Sequence, residues 1–277
     1  LACLLANAPS QATEAASRAD ELVVVAPHIA DSKEPPLGYL ARPDAIGRLP
    51  AVVVLHGCDG FHSNMPTWAM HLRSWGYVAL AIDTLTPRHI ANGCEGGAND
   101  EPIDAFTALR YLQAQSYVDP ARVALLGFSR GGGSALLDVD AGSLAPLFPT
   151  KFRAAIAYYP ICSGISGVMT APTLILGGEE DDWLPIQECR DMMARRDGKG
   201  APVTLVVYPG ATHAFNIDAS PRVYLGHHLR YDAAAAQDAE TWVRAFLHAR
   251  LQTPADTQAV PACPPTQAEC HQPLTTH

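Results

Sequence analysis

The chain has 277 residues, 48% hydrophobic and 17% charged, with 19 Lys and Arg against 28 Asp and Glu for a net charge of -9. This balance excludes a disordered, collagen-like or coiled-coil body and suits one large globular core. Negative charge without a concentrated basic patch also argues against a nucleic-acid partner and against adhesion to anionic lipid.

The first residues, Leu1 to Ala6, read as the end of a secretory hydrophobic region, with small residues through Ala16 offering a cleavage site. Residues 1–20 are therefore expected to be a leader remnant and linker, too short an apolar run for stable membrane insertion. Cys3 is a weaker candidate for lipid attachment. Short β-branched runs follow at Leu22 to Val25, Ala51 to Leu55, Tyr77 to Ile82, Arg122 to Leu126, Ala154 to Tyr158, Thr173 to Leu176 and Val203 to Tyr208. Most are apolar on both sides, which suits a parallel sheet covered on both faces.

Amphipathic segments alternate with them: Pro66 to Trp75, Asp100 to Gln115, Ser129 to Leu137, Pro185 to Arg195 and Asp232 to Leu251. Pro66 and Pro185 near helix starts and Gly76 just past a helix end fit the usual punctuation of helices. The pattern predicts one doubly wound α/β domain over residues 21–251. A proline-rich tail, 252–277, is expected to be irregular unless Cys263 and Cys270 staple it.

Seven cysteines without a CxxC pair or zinc spacing suggest disulfides and an oxidising compartment, periplasmic or extracellular. Cys58 with Cys94, Cys162 with Cys189, and Cys263 with Cys270 are the expected pairs.

Gly127-Phe-Ser129-Arg-Gly131 lies between an apolar run and a helical one. A serine on such a tight strand-to-helix turn needs glycine neighbours, and the turn exposes its hydroxyl above the sheet as a nucleophile elbow. There is no G-x-G-x-x-G at the first strand-helix turn and no Walker motif, so a phosphate-cradling reading fails on spacing.

A serine hydroxyl needs a base, and that base needs a carboxylate to hold its tautomer, in the chain order Ser, acid, His. The acid falls within Glu179, Glu180, Asp181 and Asp182, which follow one strand. His213 follows the last strand and is the candidate base, with His227 or His228 as alternatives. The His56-Gly57-Cys58 turn can aim the Cys58 N–H at the same point as the Arg130 N–H, making these the candidate oxyanion donors. Cys58 as a thiol nucleophile is the lesser reading. No cofactor or metal is expected, since Asp181, Asp182 and His213 make no recognisable ligand spacing.

Six segments carry a family resemblance: residues 56–60, 83–88, 104–112, 127–132, 178–185 and 208–213. In these, over residues 22–250, the chain resembles the dienelactone hydrolase family of the α/β-hydrolase superfamily. The resemblance implies that fold, and it implies Asp181 as the acid, three residues after Gly178 and four before Pro185, with Asp182 as the adjacent alternative.

Members that hydrolyse dienelactone itself use a cysteine nucleophile and a glutamate beside the first oxyanion strand. This chain has Ser129 and Gly57 there, so it is more similar to the general esterases of the family. The expectation is a serine hydrolase acting on small soluble carboxylic esters. Arg88 is a candidate for a substrate carboxylate. The short span between Tyr158 and Thr173 leaves no room for a large lid. An exopeptidase or amidase on the same fold and a non-catalytic secreted binding protein are the rival readings.

Overall fold

The computed structural model describes residues 21–25, 34–96, 100–252 and 269–270. The leader reading of residues 1–20, Cys3 and the pairing of Cys263 lie outside the described residues.

Along the chain come β1 (Glu21–Val24), β2 (Leu37–Ala41), β3 (Leu49–Leu55), α1 (Asn64–Ser74), β4 (Val78–Asp83), α2 (Glu101–Gln113) and β5 (Val118–Phe128). They are followed by α3 (Arg130–Val139), β6 (Ala154–Tyr158), β7 (Thr173–Gly178), α4 (Ile186–Arg196) and β8 (Val203–Tyr208). The last are β9 (Arg222–Tyr224), β10 (His227–Leu229), α5 (Ala233–Leu251) and β11 (Glu269–Cys270).

One nine-stranded sheet has the order β1-β2-β4-β3-β5-β6-β7-β8-β11. The stretch from β4 to β8 is parallel throughout, and the antiparallel strands β1, β2 and β11 lie at its two ends. Alternate residues of each parallel strand enter two separate cores. Ala51, Val53 and Leu55 of β3 pack with α2, α3 and α4, while Val52 and Val54 pack with α1 and α5. The apolar runs therefore have no polar face because neither side of the sheet meets water. In such a sheet, side chains for chemistry gather on the loops beyond the strands' C-terminal ends. The loops carrying Cys58, Ser129, Asp181 and His213 follow β3, β5, β7 and β8.

Four strands depart from the expectations. β2, the short strand Leu-Gly-Tyr-Leu-Ala, has no uninterrupted apolar run because Gly38 breaks it. The two-stranded sheet β9-β10 lies between β8 and α5, in a polar and largely exposed stretch. In the tail read as irregular, β11 pairs antiparallel with β8, with Cys270 opposite Val206. Disulfides join Cys58 to Cys94 and Cys162 to Cys189, as two of the expected pairs required. Residues 159–172, between β6 and β7, contain no helix, so no helical lid is inserted there.

Candidate active site

Ser129 stands at the junction of β5 and α3 with φ 54° and ψ -116°, a backbone conformation that L-residues rarely adopt. Its N–H donates to the Tyr158 carbonyl at 2.9 Å, and its own carbonyl accepts the Gly133 N–H at 3.0 Å, so the strained turn is held from both sides. The glycines flanking it are required by close backbone approach. A Cβ on Gly127 would collide with the Gly131 carbonyl, and one on Gly131 would collide with the His56 carbonyl.

His213 Nε2 lies 2.9 Å from Ser129 Oγ, and its Nδ1 lies 2.7 Å from Asp181 Oδ2. Asp181 Oδ1 accepts the N–H groups of Trp183 and Leu184 at 2.9 and 2.8 Å. These backbone donors stabilise the charged carboxylate and fix its orientation. An ionised Asp181 puts the proton on Nδ1 and leaves Nε2 as acceptor toward the Ser129 hydroxyl. All three side chains are buried. Such a chain can remove a proton from an attacking hydroxyl while storing little reorganisation energy.

The neighbouring acid has a different use. Asp182 is half-exposed and takes the His228 N–H and ring, at 2.7 Å for Nδ1, with His227 Nδ1 3.1 Å from its carbonyl. These contacts hold its carboxyl below the usual range, the His228 hydrogen bond being the largest cause. His227 and His228, the alternative bases, thus sit on the β9-β10 hairpin against Asp182.

Cys58 and Arg130, the candidate oxyanion donors, converge on one residue. The Cys58 carbonyl accepts the Gly93 N–H at 2.8 Å, and Arg130 Nη1 donates to the Gly93 carbonyl at 3.0 Å. The Cys58–Cys94 disulfide closes the same loop covalently. His56 braces the turn from below, with Nε2 3.2 Å from the Thr84 N–H and Nδ1 2.6 Å from the Gly57 carbonyl. Arg88 is already committed: its guanidinium makes a bidentate pair with Asp104 at 2.8 and 3.0 Å and also binds the Thr84 carbonyl. It joins a loop to α2, and its charge is not directed at the elbow.

Several neighbours had no sequence signal. The Tyr159 ring meets His213 edge-on at 4.7 Å, and its hydroxyl donates to Asn216 Oδ1. Trp183 lies 5.0 Å from the His213 ring and stacks on His227. The hairpin's Tyr224 hydroxyl accepts from Asn92 at 2.7 Å, tying the acid-loop side of the site to the disulfide loop. Leu229 bridges to His213, and the Arg230 N–H donates to Thr212 Oγ1, so the hairpin base also fixes the histidine loop. Tyr159 and Trp183 are ordinary aromatics in sequence, and the hairpin has no apolar period. Only their meeting around His213 marks them.

Residues 37–251 match the model of the dienelactone hydrolase family. The chain belongs to that family of hydrolases. It is 29% identical over 211 residues to a Bradyrhizobium protein named "Probable 2-oxo-3-(5-oxofuran-2-ylidene)propanoate lactonase", covering 68% of this chain and 82% of that one. Among solved structures, it is similar to a dienelactone hydrolase-like promiscuous phosphotriesterase from metagenomic libraries. That match has TM-score 0.68 and 22% identity, covering 84% of this chain and 99% of the other. An esterase of Thermogutta terrifontis matches with TM-score 0.64 and 19% identity, covering 86% and 95% respectively. At these identities the structural matches establish the shared α/β-hydrolase fold.

Proposed function

We propose that this chain is a serine esterase that cleaves carboxylic esters of small soluble substrates through an acyl-enzyme. The observation that carries the reading is the continuous hydrogen-bonded chain from Asp181 through His213 to Ser129 Oγ at a strained elbow. Ser129 Oγ attacks the ester carbonyl carbon as His213 Nε2 takes its proton, giving a tetrahedral oxyanion. The Cys58 and Arg130 N–H groups stabilise that charge. His213 then protonates the departing alkoxide, leaving the acyl group on Ser129. Water, deprotonated by the same nitrogen, releases the acid and restores the serine. Asp181 keeps the ring in its tautomer and stabilises the imidazolium. No step in this sequence calls for a metal.

The two disulfides support action in an oxidising compartment, the periplasm or the exterior. The test is initial rates on p-nitrophenyl esters from acetate to octanoate, for the parent and Ser129→Ala together. Turnover is expected to vanish in the variant, and the chain-length profile gives the acyl pocket its size. An inactive parent would refute the esterase reading, and turnover confined to anilides would move it to an amidase.

A further inference from the structure

The turn Gly57-Cys58-Asp59-Gly60 closes on itself through the Gly60 N–H and the Gly57 carbonyl at 3.1 Å. This folds the Asp59 side chain back over Gly57. A Cβ placed on Gly57 would lie 2.9 Å from Asp59 Oδ1 and 3.7 Å from Ser129 Cβ. The Asp59 carboxylate therefore stands within roughly 7 Å of the serine side chain, close enough for an unscreened charge to be felt. The absence of a side chain on Gly57 is what makes the space available.

The same charge also bears on a neighbour of the histidine. Tyr159, whose ring meets His213, has its phenol held well above the ordinary range by burial first and then by the Asp59 and Asp181 carboxylates. Asp59 pairs only loosely with His62, at 3.4 Å, and both are substantially exposed. Arg88 is paired with Asp104, and Arg130 donates to the Gly93 carbonyl.

We infer that Asp59 is a specificity-determining residue that favours esters carrying an ammonium group near the scissile bond and disfavours those carrying a carboxylate. This assignment rests on the esterase reading above. It extends that reading to the charge of the substrate, through an attraction or repulsion that acts on every bound ester within reach of the turn.

The experiment compares two pairs of rates at pH 8 and low ionic strength, where surface charge is least screened. p-Nitrophenyl valerate is the neutral standard, mono-p-nitrophenyl glutarate its anionic counterpart, and butyrylthiocholine is set against its uncharged 3,3-dimethylbutyl thioester isostere. In the parent, kcat/KM is expected to fall for glutarate relative to valerate and to rise for the choline ester relative to its isostere. Asp59→Asn is expected to shrink each ratio by about fivefold, the size of a single charge acting over this range in a partly wet mouth. Asp59→Glu keeps the charge and should preserve the order. Ratios unchanged within twofold in Asp59→Asn overturn the assignment, as does a parent that prefers glutarate. A parent that hydrolyses none of the neutral standards instead refutes the esterase reading itself.

Discussion

Removing the Cys58–Cys94 bridge by the double substitution Cys58→Ala, Cys94→Ala separates a stabilising role of the disulfide from a role in the site. The bridge closes a loop of sequence separation 36, and chain-entropy arithmetic gives about 3.8 kcal/mol of stability from restricting the unfolded chain. The Cys162–Cys189 bridge, with separation 27, gives about 3.6 kcal/mol by the same expression. The two losses in stability should be nearly equal. Their effects on catalysis should differ, because only the first bridge lies in the loop that carries Cys58 and reaches the Arg130 side chain through Gly93. Displacing a donor without deleting it should cost about tenfold in kcat, less than the hundredfold or more that follows outright removal. KM should stay within about twofold, since the loss is in transition-state stabilisation.

The assay is kcat and KM on p-nitrophenyl butyrate for the parent and both double variants, each well below its own melting temperature. Thermal unfolding is recorded in parallel. The reasoning is refuted if the folded Cys58→Ala, Cys94→Ala variant keeps parental kcat, or if Cys162→Ala, Cys189→Ala loses as much.

Asp181→Asn should reduce kcat by about 10⁴-fold, because the neutral amide no longer enforces the productive His213 tautomer. Asp182→Asn should reduce it by less than tenfold, and the ranking is read directly from steady-state kinetics. Gly127→Ala forces a Cβ into the Gly131 carbonyl and should cost at least about 3 kcal/mol in denaturant unfolding, at the severe end of single substitutions.

Burial raises the folded-state values of Glu101, Asp104 and Asp138, that of Asp104 to about 6. A raised carboxyl binds its proton more tightly when folded, so its contribution is full below the unfolded value, 3.8 for the two aspartates and 4.5 for Glu101, and is lost as pH rises through the folded value. The protein should therefore be more stable at pH 5 than at pH 8 in urea melts. Asp138→Asn, which removes a buried carboxyl whose oxygens have no hydrogen-bond partner, should narrow that difference. An unchanged difference would mean that Asp138 is not a source of it.

The sequence by itself determined the parallel sheet, since strands apolar on both sides can only be covered on both faces. It also determined the elbow, because a serine between glycines at a strand-helix junction has few other uses. The order of Ser129, Asp181 and His213 was legible for the same reason: each follows a strand, and a parallel sheet delivers its strand ends to one edge. The pairing of Cys58 with Cys94 and of Cys162 with Cys189 came from that same reasoning about strand ends.

Only the tertiary structure decided what surrounds those residues. Asp181 and Asp182 are neighbours of equal chemistry, and their different uses follow from which one the backbone turns inward to His213 and which meets His228. The hairpin 222–229 has no hydrophobic period because its contacts are made by polar tips and aromatic edges with distant loops. Arg88 looks available in sequence and is occupied in the fold, because Asp104 lies on a helix 16 residues further on. Asp59 is one acid among many until a glycine without a side chain lets its carboxylate fold back over Gly57, between it and solvent-facing His62. Contacts of this kind depend on distances between separate loops, which no local pattern encodes.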